Sequence, residues 1–334
     1  MDLALILEAL VKSIILILFL ALGFAYVTLF ERRLQARIQV RIGPNRAGPF
    51  GILQPVADAV KLIFKEELIP AGAIKLIFIL APVITVIPAL IITGVVPWGR
   101  ELEIFGYTVT LYIADINVAV LYILSVTSIA VYGIALAGWA SDNKYATLGG
   151  MRATAQMISY ELAMGFAIIG PIMLAGSMSM VDIVEAQKGL WFVFMQPIAF
   201  IVFVIAGFAE VNRAPFDMPE AEQELTAGFH AEYSGMKFAL FFMAEYIKLI
   251  AISMICATLF LGGYLGPGVD QFPWLGPIYL LVKIILSLFF IIWVRATMPR
   301  IRYDRLMALG WKILFPLALL SVLVTAVVLL IVGG

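Results

Sequence analysis

The sequence predicts an all-α, polytopic integral membrane protein with about eight transmembrane helices, and three observations support this fold class. Of the 334 residues, 63% are hydrophobic and only 13% are charged. The mean hydropathy is +1.06, which lies outside the usual balance of soluble globular domains. The apolar residues are also grouped in stretches close to the roughly 20 residues that a helix needs to cross a bilayer. Residues 1–334 are therefore expected to form a single transmembrane domain.

The predicted spans lie near residues 5–30, 74–97, 116–139, 155–176, 191–209, 236–262, 276–297 and 312–332. Tryptophans such as Trp98 and Trp139 stand at span ends, where an amphipathic ring suits the membrane interface. The first span is not preceded by a basic region or followed by a cleavage site of small residues. We therefore expect it to be retained rather than removed as a signal peptide.

Most Lys and Arg residues between the spans fall in the odd-numbered connections. The positive-inside rule then places these connections in the cytoplasm or its organellar equivalent, with both termini on the opposite side. The predicted location is a bacterial plasma (inner) membrane or an organellar membrane. Because the formal net charge is +0, nothing indicates nucleic-acid binding, and membrane lipid is the expected surrounding.

The first connection is too long for a simple turn. A Gly/Pro-rich run at 43–51 precedes residues 52–65, whose apolar residues recur at helical spacing. This pattern predicts a long amphipathic loop whose helix lies at the membrane interface or docks against a partner. The glycine run has no Gly-Lys-Ser/Thr ending, so it indicates a turn rather than a phosphate-binding loop.

Redox centres are not expected in this chain. It has one cysteine, Cys256, and one histidine, His230. A disulfide, a cysteine-ligated iron–sulfur cluster and a bis-histidine haem all need more ligands than these. We predict neither a metal nor a flavin site.

Carboxylates are concentrated where a membrane protein normally excludes them. The segment between the fifth and sixth spans holds Glu210, Asp217, Glu220, Glu222, Glu224 and Glu232, with Arg213 among them. Glu161 and Glu245 lie within predicted spans, where a centred charge costs roughly 2.5 to 3.5 kcal/mol. Carboxyl groups that repel one another can exchange protons near neutral pH, so the pattern suggests a proton route.

Simpler interpretations exist for these charges. Pro219 resembles a first helical residue, so Glu220 and Glu222 could serve as N-terminal helix acids. Glu245 could form a structural ion pair with Lys248, one turn away. A second cluster holds Glu31, Arg32, Arg33, Arg37, Arg41, Asp58 and Lys61. Its basic residues could simply set the topology of the first span.

Four segments of the chain closely resemble a complex I membrane component, known as subunit 1 in mitochondria and as the H-type subunit in bacteria. They read FERRLQARIQVRIGPNRAGPFGILQPVADAVKLIFKE (30–66), GWASDNKYATLGGMRATAQMISYELAM (138–164), AEVNRAPFDMPEAEQELTAGFHAEYSGMKFALFFMAEY (209–246) and WVRATMPRIRYDRLMALGWK (293–312). The segments occur in the order found in that family. The similarity extends over essentially the whole chain.

The resemblance implies a subunit of a proton-pumping NADH:quinone oxidoreductase that forms much of the quinone tunnel and the start of a proton path. The implied proton-path residues are Glu161, Glu210, Glu220, Glu222, Glu224, Glu232 and Glu245. The implied quinone-chamber residues are Glu31, Arg32, Arg41, Asp58, Lys61, Arg213, Asp217 and Arg295. Quinone would be the substrate. The implied partners are peripheral-arm subunits with iron–sulfur clusters, small membrane subunits and antiporter-like subunits.

Two alternatives share some of these features. The homologous subunit of a membrane-bound hydrogenase, or of a deazaflavin or ferredoxin dehydrogenase, keeps the fold but takes electrons from another donor. A free-standing proton-coupled transporter could use the same buried acids. The nearly complete ERR, GPNR and PFD motifs favour the quinone-linked form, and the lack of internal repeats argues against the transporter.

Overall fold

The computed structural model describes residues 3–104, 107–217 and 228–332, and this part is predominantly helical. Its helices are α1 (Leu3–Ile38), α2 (Gln54–Phe64), α3 (Lys75–Ile91), α4 (Ala119–Ala140), α5 (Lys144–Ala175), α6 (Met180–Glu185), α7 (Phe192–Met195), α8 (Pro197–Glu210), α9 (Gly235–Phe260), α10 (Leu275–Thr297), α11 (Tyr303–Leu309) and α12 (Phe315–Val332). The 3₁₀ turns are Pro49–Gly51, Ile92–Val95 and Gly228–His230, and a π-helical segment at Gly310–Leu314 joins α11 to α12. The predicted all-α fold is confirmed.

Seven helices of the described chain are long and apolar enough to cross a membrane. They are α1, α3, α4, α5, α9, α10 and the continuous helix formed by α11, the π-helical segment and α12. An integral membrane protein follows from these lengths and from their composition.

The fifth predicted span, 191–209, differs from the others in the structure. Its main helix α8 has only 14 residues, so it extends about 21 Å. The short helix α7 precedes it, and the two are separated at Gln196, whose backbone is non-helical. Pro197 then starts α8, since a proline is tolerated in the first turn of a helix but not farther inside. The region is a broken helix rather than one continuous span.

The connections between the helices meet at two ends of the bundle. At one end, which we call the odd face, the first, third, fifth and seventh connections contact one another. The contacts are Ser234 Oγ donating to Glu66 O at 2.9 Å, Asn143 Nδ2 donating to Glu232 Oε1 at 2.6 Å, and Arg300 Nη2 donating to Asp217 Oδ2 at 3.2 Å. Because these connections alternate along the chain, the helices between them run from one end of the bundle to the other.

The opposite end, which we call the even face, joins the second, fourth and sixth connections. Arg100 binds Glu185 of the fourth connection and Asp270 of the sixth. A short antiparallel pair, β1 (Glu101–Ile104) and β2 (Tyr107–Thr110), belongs to the second connection and was not predicted. Its strands have only four residues each, too few to give a clear alternating pattern.

The predicted amphipathic helix of the first connection is present as α2. Val56, Val60 and Ile63 are exposed along it. Asp58, on another side of α2, accepts a 2.6 Å hydrogen bond from Arg32 of α1. This ion pair fixes α2 beside the end of α1 and leaves the apolar side outward.

Glycines allow α4 to approach its two neighbours closely. A Cβ at Gly133 would lie 2.1 Å from Thr85 Oγ1 of α3, and one at Gly138 would lie 2.6 Å from Ala146 O of α5. Small residues at such crossings let helix backbones pack by van der Waals contact, which drives helix association in a membrane. Helices α3, α4 and α5 therefore form one closely packed unit.

A polar network holds the even face together around Glu185. Arg100 donates to both carboxylate oxygens, at 2.7 and 3.0 Å, and Tyr264 Oη donates to Oε1 at 2.7 Å. Burial raises the pKa of Glu185, but hydrogen bonds from Arg100, Lys188 and Tyr264 outweigh burial and lower that pKa to about 2. The network therefore stabilises the ionised form of Glu185.

We expect Glu185→Gln to lower the unfolding temperature of the detergent-solubilised protein at pH 7 by about 2–4 °C, because a bidentate pair is lost. The folded pKa of about 2 lies below the ordinary value of 4.5, so the stabilisation is complete above about pH 5 and is lost as the pH falls toward 2. The difference between wild type and variant should shrink over that range. A difference that stays constant from pH 7 to pH 3 would contradict this account. Asp270→Asn is the control, since this exposed partner should contribute little.

Candidate functional site

A buried group of charges lies where α1, α9 and α10 meet near the odd face. Its centre is Glu31, whose exposed fraction is 3%. Arg213 Nη1 donates to Glu31 Oε1 at 3.4 Å, and Tyr246 Oη donates to Oε2 at 2.7 Å. Arg295 also donates to Oε1. We call Glu31, Arg213, Glu245, Tyr246 and Arg295 the Glu31 cluster.

Arg213 connects two carboxylates within this cluster. Its Nε atom lies 2.5 Å from Glu245 Oε1, and its Nη1 atom makes the contact with Glu31. Its Cζ atom lies 4.3 Å from the centre of the Tyr246 ring, a cation–π contact. A buried charge is tolerated when it is paired in this way, so Arg213 makes the burial of both acids possible.

A second buried pair lies deeper, between α8 and α9. Lys248 Nζ is 3.5 Å from Glu210 Oε1, and the two residues are 7% and 1% exposed. Lys248 therefore pairs with Glu210, while Glu245 pairs with Arg213, so the alternative of a local Glu245–Lys248 ion pair is not what the helices form. In the described chain, neither Glu210 oxygen has a hydrogen-bond donor.

Two small cavities meet at the Glu210–Lys248 pair. The larger one extends from this pair to Glu245. The volume in which the centre of a water molecule fits is about 30 Å³, which is room for about two waters. The smaller one extends from the pair to Thr127, and the corresponding volume is about 10 Å³. Thr127 Oγ1 is 3.3 Å from Glu161 Oε1. The carboxylates thus follow one another in the order Glu245, Glu210 and Glu161.

The wall of the larger cavity is aromatic on one side. Phe229, Phe238, Phe241 and Phe242 line it together with His230. Burial lowers the pKa of His230 to about 4, so its imidazole is neutral near pH 7. The carboxylates therefore face an uncharged wall, which strengthens their interactions with Arg213 and Lys248.

The structure separates the other predicted residues from this series, except for Asp217, whose carboxylate repels that of Glu245. Asp217 is buried beside Arg300, and Glu232 accepts from Asn143. Arg32 and Asp58 form their ion pair at a half-exposed position. Arg41, which donates to Gln39, and Lys61 are exposed, and no contact joins either to the Glu31 cluster within the described ranges. Glu220, Glu222 and Glu224 lie outside the described residues.

Sequence reasoning missed Tyr246 and Gln156. Tyr246 directly follows Glu245, and its hydroxyl satisfies Glu31. Gln156 is 0% exposed and lies one and a half turns before Glu161 on α5. A polar side chain within an apolar span was the available signal for Gln156, since membrane helices rarely bury such groups without a partner.

The chain is similar to proteins of one family over nearly all of its length. The family model described as NADH dehydrogenase matches residues 11–326. A relative from Geobacter sulfurreducens, NADH-quinone oxidoreductase H-type subunit 2, is 53% identical over 321 residues, covering 96% of each chain. The H-type subunit 1 of Geobacter metallireducens is 52% identical over 320 residues, covering 96% of each chain. The H-type subunit of Thermomicrobium roseum is 49% identical over 334 residues, covering 97% of this chain and 96% of its own.

We expect Lys248→Met to destabilise the protein by about 3–5 kcal/mol, because it leaves Glu210 buried without an opposite charge. Adding Glu210→Gln should recover most of that loss. Denaturant unfolding in detergent measures both changes. Lys188→Met, which removes a half-exposed lysine, serves as the control and should cost less than about 1 kcal/mol. A double variant no more stable than Lys248→Met alone would rule out the pair as the cause.

Proposed function

This chain belongs to the NADH dehydrogenase family, and from that premise we propose that it binds quinone at the odd face and passes protons inward from there. Its family and relatives make it a membrane subunit of an NADH-quinone oxidoreductase, a multisubunit enzyme of the respiratory chain. Quinone is the substrate of that enzyme. The relatives' names support the quinone-linked form rather than a form with another electron donor.

One observation carries the proposal. The Glu31 cluster reaches from the odd face to Glu245, and Glu245 faces the cavity that leads to Glu210. New charge near the Glu31 cluster therefore acts electrostatically on Glu245, and Glu245 borders a cavity that can hold water. A site at the surface with no such connection could bind quinone but could not couple it to proton transfer.

Quinone gains negative charge when it is reduced, and the arginines of this region suit that change. Three arginines of this region stay positively charged and can stabilise a developing oxyanion, namely Arg213, Arg295 and Arg32. Each already has a carboxylate partner, Glu31 or Asp58. New negative charge competes with these carboxylates for the guanidinium groups. The balance of charge around Glu31 and Asp217 therefore depends on the state of the substrate.

Glu245 transmits this change because it shares Arg213 with Glu31. When Arg213 turns toward new negative charge, Glu245 loses part of its compensation and takes up a proton from the odd face, and it releases that proton into the cavity when Arg213 returns. The cavity between Glu245 and Glu210 has room for about two waters, and Lys248 lies beside Glu210 there. Thr127 links the smaller cavity to Glu161. The proposed direction of transfer is from the odd face toward Glu161.

The remaining assignments are part of the same proposal, supported by the positive-inside rule for orientation and by the family resemblance for the partners. The odd face is the cytoplasmic side, and both termini lie opposite. A peripheral-arm subunit with an iron–sulfur cluster supplies electrons, and small membrane subunits and antiporter-like subunits receive the protons. Glu220, Glu222, Glu224 and Glu232 would extend the proton path on the cytoplasmic side, while Arg41 and Lys61 would belong to the outer part of the quinone chamber.

We expect Glu245→Gln in the assembled complex to lower quinone reductase turnover by at least about tenfold and to lower proton pumping with it, because a neutral amide cannot exchange a proton. Glu210→Gln should act in the same way. The measurements are NADH:quinone turnover and pH change in vesicles. Glu67→Gln is the matched control, since Glu67 pairs with Lys237 at the odd face but is half exposed and lines neither cavity. Normal turnover and pumping in the Glu245→Gln, Glu210→Gln double variant would exclude this path.

We also expect a photoreactive quinone to label residues in 31–61 or 210–217, since these ranges hold the polar groups of the proposed chamber. The label is located by mass spectrometry of peptides from the intact complex. An excess of unreactive quinone should suppress the labelling, which distinguishes binding from chance insertion. If suppressible labelling were confined to other parts of this chain or to other subunits, residues 31–61 and 210–217 would not form the quinone chamber.

A further inference from the structure

The turn at 209–217, which carries Arg213, is bound at both of its ends by one side chain of α5, Gln156. Gln156 Nε2 is 2.9 Å from the carbonyl oxygens of both Ala209 and Phe216. These carbonyls belong to the two ends of the turn. The same nitrogen is 3.2 Å from Asn212 Oδ1. Gln156 has an exposed fraction of 0%, so no water competes for these contacts from outside.

The turn is defined by its local conformation and by its contacts with α5. Asn212 has a φ of 54°, a left-handed conformation that asparagine adopts more readily than most residues. Within the turn, Phe216 N donates to Arg213 O at 2.8 Å. Asn212 itself is 5% exposed, and its Nδ2 contacts Met157 Sδ at 3.7 Å. Local hydrogen bonds and the attachment to α5 at both ends together hold this conformation.

Arg213 depends on where the turn lies. Its two ion pairs, 2.5 Å to Glu245 and 3.4 Å to Glu31, point to acids on two different helices. Both contacts are buried, where the interaction energy changes steeply with distance. A shift of the turn by about 1 Å would weaken one pair or both.

We propose that Gln156 is a positioning residue for the coupling of quinone reduction to proton transfer. Its amide fixes the turn so that Arg213 stays between Glu31 and Glu245. Gln156 contacts none of these three side chains and acts through Arg213. This inference rests on the proposed role of Arg213 and adds the group that places it.

The first test is turnover of the assembled complex with Gln156→Met, which keeps the size of the side chain and removes its donors. We expect NADH:quinone turnover about tenfold below wild type, because small misplacements of a charged group have large effects on rate. Gln196→Met is the matched control. Gln196 is also buried, also has an unpartnered Oε1 and donates to Thr325, but it lies at the α7–α8 break. Its variant should stay within about twofold of wild type.

The second test separates positioning from a general structural role. Arg213→Lys keeps the charge but cannot reach both acids, so its turnover should be low and still measurable. If Gln156 acts through Arg213, adding Gln156→Met to Arg213→Lys should lower turnover by no more than about twofold. A further loss of about tenfold in the double variant would overturn the inference.

The outcomes distinguish this inference from the function on which it rests. Normal turnover of Arg213→Lys overturns the proposed role of Arg213 and the inference with it. Low turnover of Arg213→Lys with normal turnover of Gln156→Met overturns the inference alone. If both Gln156→Met and Gln156→Glu fail to assemble with the other subunits while Gln196→Met assembles, Gln156 serves folding only, and the positioning role is wrong.

Discussion

The compensation of buried charge is the constraint on which the rest of the structure depends. Glu31 of α1 is neutralised by Arg295 of α10 and Arg213 of the 209–217 turn, and it is hydrogen-bonded by Tyr246 of α9. Three helices and a turn must therefore meet at one point. Because an uncompensated charge in this environment would cost several kcal/mol, the relative placement of these elements is fixed by electrostatics as much as by packing.

In the proposed function, the Glu31 cluster responds to a change in charge because Glu31 and Glu245 share Arg213. Arg213 has one positive charge and contacts two carboxylates, so Glu245 shares its arginine with Glu31. Arg295 relieves Glu31 but does not contact Glu245 in the described structure. Glu245 thus depends on Arg213 alone among the arginines of the described chain. A site with a separate cation for each acid would be more stable but would transmit less of any change in charge.

The sequence predicted the parts of the site but not their pairing. Long apolar stretches determine the spans, and charged residues within them stand out, so Glu161 and Glu245 could be identified as interior acids. Glu210 was predicted as part of the acidic connection that follows the fifth span. Lys248 is three residues from Glu245, which made a local pair plausible, yet α9 directs Lys248 toward Glu210 of α8. Such partners depend on how helices are rotated against one another. The break at Gln196 and the short β1–β2 pair depend on the same tertiary contacts.

The division of the interior into two small cavities affects how the membrane keeps its electrochemical gradient. A continuous column of water through this chain would let protons return down the gradient without doing work. The Glu210–Lys248 pair interrupts such a column, because both cavities end at it and the smaller one is barely the size of a single water. The fixed ammonium also repels an excess proton that approaches from either side. In the proposed function, the same pair of side chains would both prevent a proton leak and conduct protons during turnover.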